Sequence, residues 1–114
     1  YNRAEPARGF VTMAGIEIDE ATLADFCRRW KVRELALFGS VLRQDFGPHS
    51  DVDLLVTFDS DARWGLFDHF RMERELAGIL GREVDLVTRR SVESSANWIR
   101  RREILQTART IYAA

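Results

Sequence analysis

The chain has 114 residues, enough for one compact domain, and its 46% hydrophobic and 31% charged content is that of a folded globular protein, not a disordered one. A net charge of −1 excludes a global attraction to nucleic acid or membrane surfaces. No apolar run approaches the roughly 20 residues that cross a bilayer, and no secretory leader is visible, so the cytoplasm is the expected compartment.

Tyr1 to Thr12 show no clear periodicity and are read as a disordered or appended N-terminal extension, which leaves 13–114 as a single domain. Asp19 is placed to cap a helix through Ala21, Leu23, Phe26, Cys27 and Trp30, whose apolar spacing is mostly three or four residues. Glu34–Phe38 reads as a short strand ending at Gly39-Ser40, Val41–Gln44 as the start of a short helix, and 45–50 as a turn-rich loop. Asp51–Phe58 is the clearest strand. A long amphipathic helix follows through Leu66, Phe67, Phe70, Leu76, Ile79 and Leu80, closed by Gly81. Glu83–Thr88 is a further strand, and the spacing predicts a final helix over Ser95–Ala113. Strands separated by helices imply an α/β (α+β) layer with helices on one or both faces.

Cys27 is the sole cysteine, which rules out an intrachain disulfide and a cysteine-rich zinc site and suits a small core residue. Charge is uneven: residues 1–88 hold 11 Lys/Arg against 16 Asp/Glu, a balance of −5, whereas 89–114 hold 6 Arg against 2 Glu, a balance of +4. Arg100-Arg101-Arg102 reads as a solvated helix face, with contact to an acidic partner or a phosphate as the alternative for this basic segment. His49 and His69 lack paired ligand spacing. Trp30, Trp64 and Trp98 read as core or interface anchors, with Trp64 kept as a candidate base or partner contact.

The chemistry concentrates in Ser50-Asp51-Val52-Asp53-Leu54-Leu55-Val56. A strand has a side-chain period of two, so Asp51 and Asp53 share one face while Val52, Leu54 and Val56 share the other. Two carboxylates on adjacent same-face positions repel each other and are costly to dehydrate; a divalent cation relieves both costs, and oxygen-only ligands favour magnesium or manganese. Val84-Asp85-Leu86-Val87 repeats the pattern, so Asp85 joins the pair if its strand is a neighbour. Three such carboxylates suit two magnesium ions. Upstream, Gly39 permits close approach of backbone to a phosphate, Ser40 offers a hydroxyl, the expected helix N-terminus favours an anion, and Arg43 lies one turn later.

Phe38-Gly39-Ser40-Val41-Leu42-Arg43, then Ser50-Asp51-Val52-Asp53, then Val84-Asp85-Leu86-Val87 resembles the nucleotidyltransferases of the DNA polymerase beta superfamily, specifically the minimal (MNT) type. The resemblance covers about residues 15–113. It implies a small mixed sheet flanked by helices, like the polymerase beta palm, and Mg²⁺-dependent transfer of a nucleoside monophosphate from ATP or another triphosphate. By the same resemblance Asp51, Asp53 and Asp85 hold two Mg²⁺ ions, Asp85 assists deprotonation of the acceptor, and Gly39 and Ser40, with Arg43, hold the β/γ-phosphates.

Many chains resembling this type are antitoxins of HEPN ribonucleases, some attaching AMP to a tyrosine of the toxin, so a HEPN-type partner is expected. Two other readings stay open: a non-catalytic antitoxin that neutralises by binding, and an antibiotic nucleotidyltransferase, which usually carries an added substrate domain. A nucleic-acid polymerase is disfavoured because residues up to 88 are acidic and offer no basic channel, so no stable nucleic-acid binding is expected. A shallow core leaves homo-oligomerisation open.

Overall fold

The computed structural model describes residues 9–13, 15–43, 47 and 50–114. A hairpin comes first, β1 (Phe10–Met13) paired antiparallel with β2 (Ile16–Asp19). Phe10 to Thr12, set outside the domain by sequence, therefore belong to a strand. Ile16 and Ile18 alternate into the core and Val11 and Met13 lie against it, a period of two that the short run hides. The rest of the expected extension, 1–8, lies outside the described residues.

Helix α1 (Glu20–Arg29) starts as its sequence dictates, with the Asp19 side chain accepting from Ala21 N–H at 3.1 Å. Its end is marked by Lys31 in the left-handed region, φ 57°. Strand β3 (Val32–Phe38) runs into a 3₁₀ turn, Gly39–Leu42, and β4 is Val52–Phe58. Helix α2 (Leu66–Leu80) begins with Asp68 accepting from Gly65 N–H at 2.9 Å and stops at Gly81, φ 69°. Strand β5 (Val84–Thr88) follows, then α3 (Arg89–Glu93), α4 (Trp98–Thr107) and β6 (Arg109–Ala113).

The main sheet has the order β5-β4-β3-β6. β4 pairs parallel with β5 across the α2 crossover, while β3 is antiparallel to β4 and to β6. The mixed sheet flanked by helices is the architecture expected. One face carries α1 and α2 over a core that includes Leu23, Phe26, Leu37, Leu54, Met72 and Leu76. Cys27 sits in that core as a free thiol, its pKa pushed up to about 12 by burial. The opposite face carries a smaller cluster of Ala36, Phe38, Leu55, Val92 and Ile104 under α3 and α4.

The single helix expected over Ser95–Ala113 is instead α4 followed by β6. Ile104, Ala108, Ile111 and Tyr112 have helical spacing, but the outer edge of β3 offers unpaired backbone groups. Ala36 and Leu37 pair there with Thr110 and Arg109. Thr110, Ile111 and Tyr112 are strand formers, and backbone pairing outweighs a weak helical pattern. The expected helix at Val41–Gln44 is the 3₁₀ turn, which starts at Gly39; Gln44 and most of the 45–50 loop, including His49, lie outside the described residues. No helix among the described residues is long and apolar enough to cross a membrane.

Candidate active site

Register gathers the motif residues at one end of the sheet. The antiparallel β3–β4 ladder places Phe38 opposite Asp53, so the chain turns at Gly39 beside that carboxylate. The parallel β4–β5 ladder places Asp53 opposite Asp85. The strand adjacency on which Asp85 depended is thus present, one position from the N-terminus of each strand. Asp51 precedes β4 and is exposed, Asp85 is exposed, and Asp53 is half-buried.

Gly39 has φ 75°, a left-handed conformation that disfavours any side chain. A Cβ there would also collide with Asp53 Oδ2. The glycine therefore permits the turn and leaves Asp53 its space. The Ser40 backbone N–H donates to the Asp53 carboxylate, and Ser40 Oγ donates to Asp51 O at 3.4 Å, stitching the turn to the carboxylate segment. Because the turn has only four residues, no helix dipole acts there; individual N–H groups do the work.

Burial pushes the Asp53 carboxyl above its ordinary pKa, and the charges of Asp85 and Asp51 push the same way. The Ser40 N–H, and then Arg100, act against this. The chemistry of these groups, carboxylate oxygens alone, is the kind that a hard divalent cation such as Mg²⁺ takes. As the side chains stand, no group of three His, Cys, Asp or Glu among the described residues is gathered closely enough to hold a metal.

A cleft of about 380 Å³ opens beside Asp53, between Gly39 and the C-terminal unit α4–β6. Arg43 lines it. Arg100, Glu103, Thr107 and Arg109 line it too, and sequence reasoning had assigned none of them to the site. The signal was the +4 balance of residues 89–114; it had no address until α4 and β6 were placed. Trp64 is not in this cleft: its indole N–H donates to Trp30 O at 2.8 Å and its ring meets Trp30 edge-on at 5.0 Å. It anchors the loop before α2. His69 Nε2 lies 2.7 Å from Leu86 O, against the exposed edge of β5, and takes no part in the cleft.

The family model described as a nucleotidyltransferase domain matches residues 20–111, most of the chain. The protein adenylyltransferase MntA of Thermococcus cleftensis is 39% identical over 66 residues, which are 58% of this chain and 65% of that protein. The matches span 65–66% of the length of such curated relatives. A solved structure assigned to the minimal nucleotidyltransferases is 37% identical with a TM-score of 0.59, covering 78% of this chain and 84% of its own. The MNT antitoxin solved with the tri-AMPylated HEPN toxin of Shewanella oneidensis shares the fold, with TM-score 0.54 and 20% identity, over 83% of this chain and 70% of its own.

Proposed function

The chain belongs to the nucleotidyltransferase domain family, in its minimal branch, and from that premise we propose that it transfers AMP from ATP to a protein hydroxyl, a tyrosine of a HEPN-type toxin, and acts as that toxin's antitoxin. The observation that carries the chemistry is the pairing of Asp53 with Asp85 across parallel strands beside a glycine that no other residue can replace without strain. The protein adenylyltransferase name of the Thermococcus relative supports AMP as the transferred group, and the fold shared with the MNT antitoxin supports the partner class.

Asp51, Asp53 and Asp85 would hold Mg²⁺, which when bound neutralises charge on the triphosphate and lowers the pKa of the acceptor hydroxyl. Gly39 provides close backbone approach to the β/γ-phosphates, the Ser40 hydroxyl would exchange its long bond to Asp51 O for a phosphate oxygen, and Arg43 adds charge at the cleft wall. The acceptor oxygen bonds to the α-phosphorus and the α–β bridging bond breaks. Its electron pair leaves on pyrophosphate, and the hydroxyl proton passes to Asp85. Asp53, held by Ser40 N–H, keeps its position through the step.

The test is direct. Purified protein with Mg²⁺ and ATP is expected to add AMP to a tyrosine of the co-purified partner, read by mass spectrometry. Neutralisation of the partner without added AMP, and with nucleotide or metal withheld, would replace this reading with that of a purely binding antitoxin. Transfer to a hydroxyl-bearing antibiotic but not to protein would replace the acceptor class.

A further inference from the structure

We propose that Arg100 and Arg109 form a second, C-terminal wall of the triphosphate site, binding the β- and γ-phosphates and the departing pyrophosphate opposite Gly39 and Ser40. The proposal rests on the nucleotidyl-transfer reading and assigns residues that lie outside the Gly-Ser and Asp-x-Asp segments.

The placement follows from how α4 is pinned. Ile104 is buried in the small cluster with Phe38 and Leu55, which fixes the rotation of the helix over the sheet. Residues three to four positions away share that face, so Arg100 lies one turn before Ile104 and Thr107 one turn after it. Both line the cleft. The helix ends at Thr107, and the chain turns through Ala108 into β6, whose first residue, Arg109, pairs with Leu37 one position before Phe38. The turn between α4 and β6 thus brings two arginines to the end of the sheet where Gly39 and Asp53 stand.

Their charges are available. Among the described residues the side chains of Arg43, Arg100 and Arg109 form no hydrogen bond or ion pair, whereas Arg28, Arg29, Arg33, Arg74 and Arg89 each have a carboxylate partner. Arg100 and Asp53 line the same cleft. Three guanidinium groups thus line the cleft together with the carboxylates of Asp53 and Glu103. Arginine is suited to this task, since its planar fork grips phosphate oxygens in pairs. The volume, about 380 Å³, is within the usual range of small-ligand clefts. Charge that develops on the leaving pyrophosphate as the α–β bond breaks would be met by donors already in place.

The experiment measures binding of ATP, AMP and inorganic pyrophosphate by calorimetry, in Mg²⁺, to the wild-type chain, to Arg100→Gln/Arg109→Gln and to Arg102→Gln. Arg102 is exposed on the same helix but does not line the cleft, so its variant removes a charge without removing a contact. Loss of charge-assisted contacts should weaken ATP and pyrophosphate by roughly tenfold or more in the double variant. AMP should bind equally in all three proteins, and Arg102→Gln should match wild type. Pyrophosphate binding within twofold of wild type in the double variant overturns the proposal, while continued AMP transfer by that variant leaves the nucleotidyl-transfer reading standing. Arginine-dependent pyrophosphate binding without transfer from any triphosphate does the reverse: it supports the anion site and removes the reading beneath it.

Discussion

Among the described residues, α1 and α2 close over seventeen buried apolar residues on one face of the sheet, and α3 and α4 cover five on the other. The first face includes Phe26, Leu54, Met72 and Leu76, all within 1% of complete burial. The second opens at one end into a cleft, lined by Asp53 and Arg100 among others. Cohesion and chemistry are thus separated by a single strand's pleat: Val52 and Leu54 point to the core while Asp53, between them, points to the site. A small domain that needs one deep core can leave its other face thin, and a thin face can admit a ligand.

The separation can be broken from either side. Leu54→Ala should be the more damaging, costing about 4 kcal/mol because the dense core cannot close around the lost atoms. Ile104→Ala, at the open face, should cost nearer about 2 kcal/mol, since α4 has room to settle. Its larger effect should fall on nucleotide KM, through Arg100 one turn away. Denaturant unfolding of both variants, with ATP titration of the second, checks the pair. Equal destabilisation would mean that the two faces are energetically alike.

Gly39→Ala tests the junction between the faces. A left-handed alanine costs roughly 1–2 kcal/mol, and its methyl group must also displace Asp53 Oδ2. We expect a modest fall in Tm and a disproportionate loss of kcat. A variant as active as wild type would show that Asp53 does not need its present position.

The smallest effect expected is at the periphery of the core face. The hydrogen bond from Arg29, and then that from the Trp30 indole, hold the Glu75 carboxyl below its ordinary pKa. A depressed folded pKa stabilises above the unfolded value and the contribution is lost as pH falls through the folded one. Glu75→Gln should therefore lower Tm at neutral pH by less than about 1 kcal/mol equivalent, given the exposure of the pair, and match wild type in acid. A Tm gap that persists in acid would place the contribution in packing instead.

The same division governs what could be read from sequence. Helices α1 and α2 and strands β3 to β5 were legible because their apolar positions repeat over several turns or pleats, and the carboxylates stand out on such strands as polar exceptions. Asp53 and Asp85 could be put on matching faces, yet their adjacency is a fact of register that only the pairing of β4 with β5 supplies. The C-terminal unit was misread because its apolar positions are few. Trp98 and Ile99 are exposed on α4, only Ile104 is buried, and β6 is held by its pairing with β3 more than by its own pattern. Arg100 and Arg109 were visible as charge but had no location. The β1–β2 hairpin was missed for a similar reason, four residues per strand being too few to show a period.

The central claim is that Asp53 and Asp85, paired across β4 and β5, carry out nucleotidyl transfer. It is tested most directly by offering wild type, Asp53→Asn and Asp85→Asn ATP labelled at the α- or the γ-phosphate, with Mg²⁺ and the partner protein. The account predicts protein-bound label from the α-phosphate alone in wild type, a loss of roughly a hundredfold or more in each variant, and unchanged or higher Tm in Asp53→Asn, where a half-buried carboxylate is neutralised. Undiminished α-label in Asp53→Asn, or label arriving from the γ-phosphate, would contradict it.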